Sequence, residues 1–237
     1  MPTPGAPEKQ AVRSMFDRIA PRYDLLNHVL SAGIDRRWRR AAVEFLDAEA
    51  GARILDLCTG TADLMIEAIA GEPARRGTGV DLSLEMLRRG KDKLERQALA
   101  SRAALLAGDA ERLPLRGTLF DGALIAFGIR SVSAPDAALR EILRVLKPGG
   151  KLVVLEFSMP AGALGVLYRL YSRHVLPRVG AWISGDATAY SYLPASIARF
   201  PEPAAFAELL QRAGFAEVRY RPLTGGVAHL HRGERPA

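Results

Sequence analysis

The residues best suited to chemistry fall in one stretch and at two later strand ends. "LDLCTGTAD", Leu55 to Asp63, is an apolar run that stops in a Thr59-Gly60-Thr61 turn before an amphipathic segment. A strand, a glycine turn and a helix in that order present backbone amides to a nucleotide-like ligand. Gly60 permits close approach, the two threonine hydroxyls add donors, and Asp56 sits within the end of the strand. Asp81 lies 21 residues beyond Gly60, near the roughly 20 at which a carboxylate meets a ribose diol in dinucleotide folds. Asp109 in "GDAERLP" ends a third apolar run, where its carboxylate and the Ala110 backbone can reach an adenine edge. Any one of these acids alone is as well explained as a turn or helix cap. Three at successive strand ends, with the turn, predict a bound adenosyl ligand.

The turn is short of glycine and its rim is acidic. Both features disfavour a pyrophosphate, which calls for several glycine amides or a basic residue. They suit a ligand carrying a ribose, an amine and a sulfonium, so the expected cofactor is S-adenosylmethionine and not NAD. No metal is expected.

To bring these groups to one rim the chain must fold as α/β. From Arg53 onward, apolar runs alternate with amphipathic stretches, the pattern of a doubly wound parallel sheet with helices on both faces. Strands are expected at 53–58, 77–81, 103–109, 121–128, 151–158, 217–223 and 226–233, and helices at 62–70, 83–98, 135–146 and 203–213. Ser83 is placed to cap one helix, and Pro135 and Asp136 to open another. "TGG", Thr224 to Gly226, is too short for a parallel crossover, so the last two strands form a hairpin and the seven-stranded sheet ends with an antiparallel strand. "KPGG", Lys147 to Gly150, reads as a helix terminator. Two segments stand outside the repeat. Residues 1–48 comprise a short tail and a helical, aromatic and basic stretch, and about 159–202 form an insertion. Both are placed to cover the carboxyl ends of the strands, as a lid and a substrate cap on a domain spanning 49–237.

A chain of 237 residues suits one domain with such additions. No apolar run approaches the roughly 20 residues that span a bilayer. "MPTPGAPEKQ" lacks the basic start, apolar stretch and cleavage site of a secretory signal. The single cysteine, Cys58, cannot form an internal disulfide and reads as a packed thiol, which fits a reducing cytoplasm. The formal charge of +7 admits an anionic membrane surface or a nucleic acid. Abundant arginine and alanine also account for it by composition alone, and no nucleic-acid motif or aromatic-basic stacking platform is found. A nucleic-acid partner is not expected.

Longer stretches carry a resemblance. "YDLLNHVLSAGIDRRW" (23–38) and "RVLKPGGKLVVLEFS" (144–158) resemble the two signature stretches of the menaquinone and ubiquinone biosynthesis C-methyltransferases. "FGIRSV" (127–132), "HVLPRVG" (174–180), "AYSYLPASIARFP" (189–201) and "LTGGVAHLHRG" (223–233) are similar too, so the resemblance runs from about Phe16 to Gly233. It implies a class I S-adenosylmethionine-dependent methyltransferase, with a Rossmann-like sheet, that methylates a ring carbon of a prenylated quinol. Thr61, Asp81, Asp109 and Ala110 match the family's cofactor positions. The family's further cofactor serine falls on Ala126, which leaves a backbone contact at most, and Asp35 stands where the family has histidine. "CTGTAD" looks closer to menaquinone-only members, implying demethylmenaquinol as acceptor before the ubiquinone-pathway benzoquinol. The cofactor half alone would equally serve a methyltransferase for another lipid or phenolic acceptor; the stretches at 23–38 and 174–201 argue against one.

Only the reduced quinol, best as its phenolate, makes the neighbouring ring carbon nucleophilic. The chain must therefore align the reactants and take up a phenol proton. His174 and Asp35 are the candidate bases, with Tyr190 and Asp186 as polar contacts. Arg130 either binds a quinol oxygen or pairs with a neighbouring acid, and Glu156 either faces the ligand or caps the insertion. Tyr23 is the expected lid residue beside the cofactor, and Trp38 is expected to pack. A prenyl tail stays in the bilayer, so a cytoplasmic protein in transient contact with the membrane's inner face is expected. "GALGVLYRLYSRHVL" (162–176) is either the interfacial stretch or core.

Overall fold

The alternating apolar runs become strands β1 Arg53–Leu57, β2 Arg76–Asp81, β3 Ala103–Ala107, β4 Phe120–Ala126, β5 Leu146–Phe157, β6 Ala216–Leu223 and β7 Ala228–Glu234. A computed structural model describes residues 8–160, 162–171 and 187–237, with backbone alone at 163, 164 and 187–191. The sheet order is β3-β2-β1-β4-β5-β7-β6. β1 to β5 run parallel, and the order reverses between β1 and β4, the switch point where open α/β sheets bind ligands. β7 is antiparallel to both its neighbours, β5 and β6. The hairpin therefore forms and the last strand is antiparallel, but it lies inside the sheet with β6 at the edge. Burial explains the choice: nearly all of β7 is buried, whereas the arginine-bearing β6 is largely exposed, as suits an edge that must resist further pairing.

Helices α1 Lys9–Ile19, α2 Tyr23–Leu30 and α3 Ile34–Leu46 precede the sheet. In α3, Trp38, Ala42 and Leu46 recur every four residues and bury one stripe against the β1–β4–β5 face, beside Ile54, Met65 and Leu155. The opposite face is filled by Phe120, Ile125, Leu139, Ile142 and Phe206. Met15, Ile19 and Leu26 from α1 and α2 form a third cluster with Met86. α4 Asp63–Ala70, α5 Leu84–Arg96 and α6 Pro135–Val145 connect the parallel strands. α7 Gly162–Leu170 and α8 Ala187–Arg199 follow β5, and α9 Pro203–Arg212 leads into β6. Ser83 caps α5 by accepting the Met86 amide at 3.1 Å, and Pro135 opens α6.

"KPGG" is not a helix cap. α6 stops at Val145 and β5 begins at Leu146, and the pairing with β4 jumps from Phe120–Leu146 to Gly122–Lys151. The intervening residues form an irregularity stitched to the chain's far end. The Gly149 amide donates to the Arg235 carbonyl (2.9 Å), and the Arg235 amide donates to the Gly150 carbonyl (2.8 Å). Lys147 pairs with Asp121 at 2.6 Å instead of meeting the helix terminus. Among the described residues no helix is long and apolar enough to cross a membrane.

Candidate active site

β1 delivers a tightly coiled turn to α4. Cys58, Gly60 and Ala62 all have left-handed backbones (φ 55°, 53° and 67°). Three of the turn's amides are already bonded: Thr59 N donates to the Val80 carbonyl, Ala62 N to the Thr59 carbonyl, and Gly60 N to Asp81 Oδ2 at 2.8 Å. Buried Asp56 braces the turn from beneath, accepting the Thr59 hydroxyl (2.6 Å) and the Met65 amide (3.2 Å). Burial outweighs those bonds and pushes its carboxyl up to about 7. Asp81 also accepts the Ser83 amide at 2.8 Å, and burial raises its pKa against the pull of its backbone bonds. Gly60, Asp81, Asp109, Ala110 and Ala126 line one cleft of about 760 Å³, with Tyr23 closing it from α2. Asp109 is held by the Glu111 amide (2.9 Å) and by Lys9 of α1 (2.7 Å). Cys58 lines the cleft too, its thiol raised well above the ordinary value by burial.

A smaller polar cavity of about 390 Å³ adjoins the cleft, lined by Asp56, Thr61, Asp63, Asn27 and Arg39. Thr61 does not line the main cleft. Its hydroxyl donates to Asp24 Oδ1 of α2 (2.6 Å) and accepts from Lys93 (2.9 Å). Lys93 in turn bridges Asp24 and Asp63 at 2.6 and 2.5 Å.

Beyond Tyr23 opens a third space of about 980 Å³, lined largely by apolar and aromatic side chains from α1, α2, α3, α7 and α8. Asp35 and Arg130 line it as well. Arg130 is nearly buried and pairs with buried Glu156 at 2.7 Å, donates to Ser196 Oγ at 3.2 Å and to the Phe127 carbonyl, and lies 5.5 Å over the Phe157 ring. Burial lifts the Glu156 carboxyl despite that partner. Burial would raise Asp35 too, but the Arg39 charge and the Ser31 hydroxyl (2.8 Å) outweigh it, and its pKa lies below the usual carboxylate value. Tyr23 and Phe127 line all three spaces.

The model of the ubiE/COQ5 methyltransferase family matches residues 5–235. The chain belongs to that family. It is accordingly an S-adenosylmethionine-dependent methyltransferase. It is 52% identical over 227 residues to the ubiquinone/menaquinone biosynthesis C-methyltransferase UbiE of Syntrophotalea carbinolica, covering 95% of this chain and 94% of the relative. The demethylmenaquinone methyltransferases of Deinococcus radiodurans (47% identity, 95% and 93% covered) and Thermus thermophilus (48%, 94% and 100%) are also similar. Among solved structures, the [4+2]-cyclase SpnF superposes with a TM-score of 0.74 at 20% identity, covering 98% and 97% of the two chains. The phosphoethanolamine N-methyltransferase 2 of Haemonchus contortus, in complex with S-adenosyl-L-methionine, gives 0.63 at 15%, covering 84% and 52%. Such low identities speak for the fold alone.

In this methyltransferase the expected cofactor residues do converge, with Thr61 and Asp56 around the polar annex and the others around the main cleft. Arg130 pairs with an acid while still facing the apolar space. Trp38 packs as expected, against Phe127 and Phe157, and donates its indole N–H to Thr224 Oγ1 at 2.8 Å. His174 and Asp186 lie outside the described residues, as does the side chain of Tyr190 on α8. Sequence reasoning missed Phe127, Asn27 and Arg39. Asn27 and Arg39 lie within the quoted 23–38 signature or one residue beyond it, and that adjacency was the available signal.

Proposed function

We propose that the chain methylates a ring carbon of a prenylated quinol, demethylmenaquinol before the ubiquinone-pathway benzoquinol. The carrying observation is that an acid-lined cleft and a larger apolar, aromatic space meet at Tyr23 and Phe127. The names of the relatives support the quinone reading, two of them naming demethylmenaquinone alone.

The donor set fits S-adenosylmethionine. Asp81 and Asp109 offer acceptors to a ribose diol and an amine, while the basic groups lining the cleft, Lys9 and Arg13, are engaged with Asp109, Glu111 and Asp17. When bound, this group supplies an electrophilic methyl on a sulfonium. Each Asp81 oxygen already accepts one backbone amide, which fixes the carboxylate plane and leaves lone pairs for hydroxyl donors. Burial pushes the Tyr23 phenol up, so it stays protonated and acts as a donor and a wall against water. The Arg130 guanidinium, held by Glu156, favours the phenolate form of an acceptor beside it. Asp35 stays ionised and is a weak base, which leaves His174, outside the described residues, as the other candidate proton acceptor. α1 and α2 serve as the lid and α7 and α8 as the substrate cap.

α2 and α7 turn Leu26, Leu30 and Tyr168 toward the apolar space and leave Leu25, Val29, Val166, Leu167 and Leu170 exposed. This rim rests on the membrane so that the prenyl tail remains in lipid while the ring enters. The deciding assay offers labelled S-adenosylmethionine with reduced and oxidised demethylmenaquinone. Label should enter the reduced form only, with the product heavier by one methylene; transfer to neither, alongside transfer to a non-quinol phenol, would overturn the reading.

A further inference from the structure

An S-adenosylmethionine molecule ends in an amino acid, whose ammonium and carboxylate each need a partner. The polar annex offers oxygen acceptors for the first, since Asp56 and Asp63 both line it. For the second, the usual source would be the amides of the turn, but those of Thr59, Gly60 and Ala62 are already bonded to Val80, Asp81 and Thr59. With three of the turn's amides occupied, a cationic side chain is the stronger partner for a carboxylate. Arg39 is the one cationic residue among the described residues lining the annex. Its side chain is 11% exposed, and Nη2 meets Asp35 and lies 3.4 Å from Asp63 Oδ2. Among the described residues, Nε and Nη1 make no hydrogen bond. Two carboxylates thus fix one edge of the guanidinium, and the other donors remain for a ligand oxyanion.

We propose that Arg39 binds the α-carboxylate of the methionine moiety of S-adenosylmethionine. The inference rests on the cofactor reading above and deepens it. Asp35, on the same helix, and Asp63, in the first turn of α4, hold the guanidinium at the border between the annex and the apolar space. A turn poor in glycine then needs no spare amides, because α3 brings the anion partner from outside the sheet.

The test compares two ligands that differ in the amino acid alone, S-adenosylhomocysteine and 5′-methylthioadenosine, by isothermal titration against the wild type and R39Q. S-adenosylhomocysteine should bind R39Q about 10- to 100-fold more weakly, and methylthioadenosine should bind both proteins alike. Equal losses for the two ligands, or no loss for either, would overturn the proposal. An unchanged S-adenosylhomocysteine affinity with a raised KM for the quinol would assign Arg39 to the acceptor and overturn it too. If the wild type binds neither ligand, the cofactor reading itself fails. Because R39Q leaves the Asp35 carboxylate without its partner, the double variant D35N/R39Q is titrated beside it. The same ligand-selective loss is expected there.

Discussion

Asp56 carries the clearest energetic consequence of any single residue. The unfolded chain ionises this carboxyl near its ordinary value, about 3.9, whereas the folded protein holds the proton up to about 7. Between those limits the native state keeps a proton that the unfolded state has lost, so stability falls as pH rises from about 4 toward 7. Three units correspond to roughly 4 kcal/mol as an upper bound. Urea unfolding across that range should show the decline in the wild type, and D56N, which cannot ionise, should lack this component. Phe127 makes a related point about strain. Its left-handed backbone (φ 56°) costs on the order of 1–2 kcal/mol in a residue with a Cβ, offset by stacking on Phe157 at 4.4 Å and by the Phe127 N–H donating to the Leu155 carbonyl at 2.8 Å. That conformation turns the ring to where all three spaces meet. A glycine there would have signalled a turn; a phenylalanine gives no such warning, and its place at the head of "FGIRSV" is the one signal the sequence offers. Arg39 was hidden differently, among Arg36, Arg37 and Arg40, since only the three-dimensional path of α3 separates the inward arginine from the outward ones.

At the scale of elements, periodicity made the sheet and its helices legible. Strands and connecting helices fall within a few residues of their expected bounds, β5 excepted, because burial on two faces or one imposes patterns of different period. β5 escaped because "KPGG" satisfies the rules for a helix stop as well as those for an irregular strand. Contacts distant in sequence left no periodic trace. α1 and α2 are tied to the sheet domain by Lys9 to Asp109, Asp17 to the Ser83 hydroxyl (2.5 Å) and Asp24 to Thr61 and Lys93. Thr61 lines the polar annex, and its hydroxyl also fastens α2. A helix held by such partly exposed contacts, each worth roughly 0.2–1 kcal/mol, opens readily. D24A releases two of them at once and should speed dissociation of S-adenosylhomocysteine by about three- to fivefold, with a smaller effect on association. Stopped-flow fluorescence measures both rates, and an unaltered dissociation rate would remove α2 from the role of lid.

The whole molecule has two sides with different business. Its ligand spaces open where the parallel strands end, and the exposed leucines of α2 and α7 flank the same region. L25D/L167D should cut flotation with anionic vesicles several-fold and slow methylation of a long-chain quinol, while a short-chain soluble quinol is methylated at the wild-type rate. Equal loss on both acceptors would point to a disturbed cap and not to lost membrane contact. The inserted position of β7 bears on how such a protein is made. A ribosome delivers β5 and β6 before the strand that must lie between them. Until Ala228–Glu234 emerges, both present open edges, and a product cut after Gly226 would keep them open. Because β7 runs opposite to its neighbours, its end reaches the rim away from the ligand spaces, so a reporter fused there stands clear of lid and membrane alike.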